Sequence, residues 1–98
     1  MSWPLVILSP VEVELADAVS WYEAREPGLG YDFVEAFDAT IERISDRPEA
    51  YQRLADSRFR RASLRRFPYV VVFEVRGTEV RVVALAHGSR RPDYWKGR

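Results

Sequence analysis

The sequence predicts an α+β domain in which a helical hairpin lies on one face of a mostly antiparallel sheet, in the order β-α-α-β-β-β. Three observations predict it. Two apolar stripes at helical spacing fill the first half, separated by Pro27-Gly28-Leu29-Gly30. Three strand-like runs fill the second half, the last two joined by Gly77-Thr78. A short apolar run, Leu5 to Leu8, precedes the first stripe. A chain of 98 residues suits one domain spanning residues 1–98 and leaves little margin in its core.

Each element has its own signal. Leu-Val-Ile-Leu at 5–8 reads as a buried strand. Ser9-Pro10-Val11-Glu12 reads as a helix start, with Ser9 as N-cap, Pro10 at the first helical position and Glu12 closing a capping box. Val11, Leu15, Val19 and Tyr22 carry that helix to about Glu26, where Pro27 and Gly28 stop it. Val34, Phe37, Ile41 and Ile44 form the stripe of a second helix ended by Pro48. Phe59 to Arg66, Tyr69 to Arg76 and Glu79 to Ala86 read as strands, with Gly77-Thr78 as a hairpin turn. On the middle strand Val71, Phe73 and Val75 share one face, and Val70 and Val72 the other. The expected core comprises Leu15, Val19, Phe37, Ile41, Ile44, Val71 and Phe73, with Trp21 and Tyr22 also inside. The segment from His87 to Arg98 is polar, basic and aromatic, with a turn expected around Pro92 to Trp95.

Composition excludes several functions. Without cysteine there is no disulfide, thiolate metal site or cysteine nucleophile. With His87 as the single histidine, a zinc site of the usual kind does not assemble in one chain. No metal or other cofactor is expected. No apolar run approaches the roughly 20 residues that span a bilayer, and residues 1–9 lack a signal-peptide pattern. A cytoplasmic protein without a membrane partner is expected. Net charge is zero but segregated: 11 of the 15 acidic residues lie at or before Glu49, and 12 of the 15 basic ones after it. Such asymmetry points to a basic face for an anionic partner. The plainer alternative is that the two halves neutralise each other in the fold.

Arg58, Arg60, Arg61, Arg65 and Arg66 surround Phe59, Ala62 and Leu64. This pattern reads as a basic strand that meets nucleic acid or an acidic protein surface, or as an edge strand whose charges prevent association. His87, at a strand end, is the side chain with an ordinary pKa nearest neutrality and is a candidate general base; a structural role is the simpler reading. Tyr94, Trp95 and Lys96 either clamp the tail to the sheet or contact a target. Gly28 and Gly30 lack the Gly-Lys-Ser/Thr of a phosphate loop and serve the turn. Asp32, Glu35, Asp38 and Glu42 read as a solvated helix face.

The order of elements and several phrases resemble the RelE/ParE toxins of type II toxin–antitoxin systems, closest to the ParE-like members. Ala18-Val19-Ser20-Trp21-Tyr22-Glu23 with Pro27-Gly28-Leu29-Gly30 resembles their first helix and connector. Phe33 to Ile44 with Arg47-Pro48-Glu49-Ala50-Tyr51 resembles the second helix and its exit. Arg60 to Tyr69 resembles the strand pair that follows, and Ala86 to Trp95 the closing motif.

The resemblance implies a growth-inhibiting toxin silenced by an antitoxin from the same operon, a small DNA-binding protein with an amphipathic C-terminal segment. It implies one of two targets: DNA gyrase, blocked without catalysis, or the ribosome and its mRNA, cleaved as by RelE. On the nuclease reading, Arg61 and Arg90 hold the phosphate, and Tyr94 and His87 are the acid/base candidates. Ser63 and Val70 stand where nuclease members carry lysine and arginine. A non-toxic interaction module on the same fold is the third reading. Arg90, Arg91, Tyr94, Trp95 and Lys96 are the expected target-binding residues. Arg60, Arg61, Arg65, Val70 and Val72 are expected to bind the antitoxin, on the premise that Val70 and Val72 leave an apolar second face open.

Overall fold

A computed structural model describes residues 2–88 and 94–98. Its elements are β1 (Leu5–Ile7), α1 (Ser9–Arg25), α2 (Leu29–Asp46), a 3-10 turn (Pro48–Ala50), β2 (Phe59–Ser63), β3 (Tyr69–Arg76) and β4 (Glu79–His87). They realise the expected β-α-α-β-β-β order. The sheet runs β1-β4-β3-β2. β1 is parallel to β4, and the other pairs are antiparallel.

The start of α1 differs from expectation. Leu8, not Ser9, is the N-cap, and no side chain caps the helix. The Leu8 N–H donates to Val82 O at 3.1 Å while Val11 N–H donates to Leu8 O at 2.9 Å. The chain therefore stays extended beside β4 through Leu8 and turns directly into helix. Pro10 falls within the first turn, where its missing N–H costs nothing.

The helix–helix link is also shorter than read, because Leu29 and Gly30 already belong to α2. Gly28 caps α2 at φ 91°, a left-handed conformation in which a side chain is strained. The Glu23 carboxylate accepts the Gly28 N–H at 3.0 Å and the Gly30 N–H at 3.0 Å. It thus pairs two otherwise orphaned donors and sits favourably at the helix N-terminus. A Cβ on Gly30 would lie 3.0 Å from Val19 O, so this glycine sets how closely α2 approaches α1.

The helices bury Val11, Ala18, Phe33, Phe37 and Ile44 against Ala62, Leu64, Phe67, Val71, Phe73, Val80, Val82 and Leu85. Leu15, Val19, Tyr22 and Ile41 line this core but remain half-buried. Tyr22 and Phe33 stack at 5.4 Å, and both meet Phe67 edge-on at 4.9 Å. Trp21 departs from expectation: it is 51% exposed. Its neighbour Tyr22 takes the core side, and about 100° of helix rotation turns Trp21 outward. There the Arg25 guanidinium covers its ring at 3.3 Å.

β3 matches its expected bounds, whereas β2 stops at Ser63. Leu64 N–H donates to Tyr69 O at 2.9 Å, closing the turn. Arg66 adopts φ 72°, which cannot continue a strand. β4 continues one residue beyond its expected end, to His87, which pairs with Tyr69. Between Val72 and Phe73 the β3–β4 register shifts, leaving Val83 as an extra residue on β4. This bulge lets the consecutive Val83 and Ala84 join one cluster on the face away from the helices.

Candidate functional site

Strand register sorts the helix-free face into rows. Ser63, Val70 and Ala86 form one row, and Arg61, Val72 and Ala84 the next. Phe59, Glu74 and Arg81 form a third. Ser63 and Val70, at the positions of the basic nuclease residues, are therefore direct cross-strand partners. Their row carries a hydroxyl, a valine and an alanine, none of which titrates near neutrality.

This face is not open. Trp95 is 7% exposed and packs with Phe59, Val72, Val83, Ala84 and Ala86. Leu54, Val70 and Tyr94 pack around that cluster. Val72 has no accessible surface, so the expected antitoxin contact at Val72 is corrected: the chain's own tail already covers it. Val70 is half-buried at the margin. Trp95 clamps the tail, and its burial likewise corrects the expectation that it meets a target.

The tail is anchored by Glu14 on α1. Its carboxylate accepts the Leu85 N–H at 3.0 Å, the Tyr94 hydroxyl at 3.1 Å and Arg98 at 3.1 Å. Arg98 also donates to Val83 O at 3.0 Å. Nothing in the sequence spacing marked Glu14, which works across 71 residues to Leu85.

The arginines divide. Arg60 pairs with Phe73 on the helix side and donates to the Tyr51 and Glu49 carbonyls. It holds the segment after α2 and is half-buried there. Arg61 and Arg65 are exposed. Arg58, Arg76 and Arg81 surround Glu74, which is 1% exposed. A buried charge requires such partners.

The catalytic candidates do not converge. Arg61 projects from β2 on the helix-free face. His87 is half-buried at the end of β4, meets the Tyr69 ring edge-on at 5.2 Å and lines the helix side. The Tyr94 hydroxyl is held by Glu14 beside β4, with β3 and β4 between it and β2. Arg90 and Arg91 lie outside the described residues. Lys96 is exposed. No group of three His, Asp or Glu side chains among the described residues can hold a metal ion. No described helix is long and apolar enough to cross a membrane.

A cleft of about 370 Å³ opens between α1 and the end of β4, lined by Glu14, Asp17, Trp21, Tyr22, Tyr69 and His87, among others. It combines exposed aromatic surface with two carboxylates. Away from it on α2, the phenol of exposed Tyr31 is raised above its ordinary pKa, chiefly by the charge of Glu35.

Comparison with known proteins follows the same lines. The family described as "ParE toxin of type II toxin-antitoxin system, parDE" matches residues 5–92. A solved structure described as "Chromosomal ParDE TA system from P. aeruginosa" superposes with a TM-score of 0.78 at 16% identity, covering 88% of this chain and 96% of that one. At that identity the likeness speaks for the fold. No curated protein matches. The family match extends from the first strand through β4 and into the tail, and the chain belongs to the ParE toxin family of type II toxin–antitoxin systems.

Proposed function

We propose that this chain inhibits DNA gyrase by binding, without chemistry of its own, and that a co-encoded antitoxin neutralises it. The observation that carries the non-catalytic reading is the row Ser63–Val70–Ala86. A ribonuclease needs positioned groups to take and give protons. Here the row has none, and arginine, protonated at neutral pH, is a poor base. Gyrase as the target comes from the ParE membership. The exposed tail residue Lys96, with Arg90 and Arg91, supplies the target-facing cations of this reading.

The antitoxin occupies the cleft between α1 and β4, where Trp21, Tyr22 and Tyr69 offer an aromatic anchor, and reaches exposed Arg61 and Arg65 with acidic residues. Steering by those arginines makes association fast and salt-sensitive.

The test of function is a supercoiling assay with purified gyrase, together with induced expression and mapping of transcript ends. Loss of supercoiling and filamentous cells with intact messages are the expected result. Codon-phased cuts in translated messages, abolished by Arg61→Ala or Arg90→Ala, would establish the RelE-like alternative, which the exposed Arg61 favours. Antitoxin docking is read by titration against Trp21→Ala and the Arg61→Ala/Arg65→Ala pair. The first should raise the dissociation rate, and the second should lower the association rate and its salt dependence.

A further inference from the structure

The helix-free face carries a cation cluster whose charge exceeds that of the carboxylate it compensates and which the gyrase reading does not use. Glu74, 1% exposed, accepts a hydrogen bond from Arg58 Nε on Oε2 at 2.7 Å. Arg76 Nε lies 2.7 Å from Oε1 as an ion pair without hydrogen-bond alignment, so Oε1 is buried without a hydrogen-bond partner among the described residues. A third guanidinium, Arg81, stands 3.9 Å from Oε1. One negative charge thus faces three positive ones.

Two short ion pairs already serve the buried carboxylate. The third cation exceeds that need, and so does the way the first two are held. Both Arg58 and Arg76 bind Glu74 through Nε, which leaves their paired terminal nitrogens without a protein acceptor among the described residues. Their side chains remain 58% and 59% exposed. Glu74 therefore acts as a hub that gathers the guanidinium groups by charge, holds the Arg58 fork by a hydrogen bond, and leaves the terminal donors of both arginines available. Fixing the forks beforehand removes part of the entropy cost of binding an anion.

We infer that Arg58, Arg76 and Arg81, held by Glu74, form an oxyanion site that binds the phosphodiester backbone of a nucleic acid. Guanidinium forks match the paired oxygens of a phosphate. The surroundings favour a polyanion over an acidic protein. A protein interface draws its energy from apolar anchors at its centre, and here the apolar residues are already sunk. Phe59, Val72, Val83 and Trp95 are all buried, which leaves Val6, paired with Arg81 and 41% accessible, as the exposed apolar side chain beside the cluster. The positive charge continues along the face to exposed Arg61. Arg76 lies six residue steps beyond Val70, about 20 Å along an extended strand, so the cluster lies at the far end of β3 from the row of the nuclease positions.

The test is fluorescence anisotropy of the full chain with labelled DNA duplex, single-stranded DNA and RNA of equal length, titrated over a range of salt. Duplex and single strands are separate arms because the backbone chemistry is common to all three. Wild-type binding should weaken steeply with salt. Arg58→Ala and Arg76→Ala should each weaken it roughly five- to tenfold at low salt and lower the salt slope by about one. Arg47→Ala, on the helix side, should leave it unchanged. Arg76→Lys, which keeps the charge but not the fork, should fall between wild type and alanine and covers the case in which the alanine variant misfolds. Unchanged affinity and slope in the Arg58 and Arg76 variants overturn the proposal. So does tighter binding of poly-glutamate than of any oligonucleotide, which would assign the cluster to an acidic protein. Gyrase inhibition by the same variants is measured in parallel, so loss of one property is distinguishable from loss of the other.

Discussion

The two faces of the sheet are closed by different means. On the helix side, two amphipathic helices lay periodic stripes on Val71, Phe73, Val80, Val82 and Leu85. On the other side, Trp95 and Tyr94 from the tail and a loop leucine, Leu54, do the closing. The first face is redundant: many side chains share the burial, and each is reinforced by neighbours on its own helix. The second depends on a few residues that arrive from far along the chain. Closure by repetition should therefore be costly to damage at its centre, and closure by single residues should be sensitive at those residues and indifferent elsewhere.

Four measurements sharpen or break this contrast. Phe33→Ala, at a fully buried ring contacting three other aromatics, should cost about 3–5 kcal/mol in denaturant unfolding. For a chain this small, that consumes much of the total stability. Trp95→Ala should cost less, about 2–3 kcal/mol, because the tail can rehydrate and the indole N–H has no acceptor to lose. A cost equal to that of Phe33→Ala would erase the distinction between the faces. Glu14→Ala removes the acceptor of three hydrogen bonds and should cost about 2 kcal/mol. Its signature is faster amide exchange at Leu85, with little change at Phe73. Trp95→Phe should move stability by less than about 1 kcal/mol, since lost ring volume is offset by removing a buried, unpaired donor. A loss as large as that of Trp95→Ala would show that the indole N–H has a partner in solution.

The contrast also explains what could be read from the sequence. The helices and β3 were legible because each is set by local period: the i, i+3, i+4 stripe from Val34 to Ile44 and the alternation from Tyr69 to Arg76. The same alternation placed Glu74 on the face of Val70 and Val72. A carboxylate in that position argues for solvent, however, and its burial depends on close arginine partners, one of them, Arg58, distant in sequence. Hydrophobicity alone places Trp21 in the core, although its position next to Tyr22 turns it off the stripe. The open second face inferred from Val70 and Val72 failed because Trp95 belongs to no periodic pattern. The bulge at Val83 left no sequence mark, since valine suits a regular strand equally well. Of the site, the basic strand and the untitratable pair Ser63 and Val70 were legible. The division of labour among the arginines was not, because it follows from which face each residue takes after the strands pair.

One consequence of the Glu14 anchor concerns solubility. β1 covers β4 at Val80 to Val82, and among the described residues no strand pairs with the following stretch of its edge. A bare edge is a template onto which another chain can zip, and repeated zipping ends in aggregates. Here the outward Leu85 N–H is engaged by Glu14 and the outward Val83 carbonyl by Arg98. Two side chains thus imitate the hydrogen bonds of a missing strand without presenting a backbone that could propagate the ladder. Beyond the reach of β1, the edge of β4 is stoppered from within.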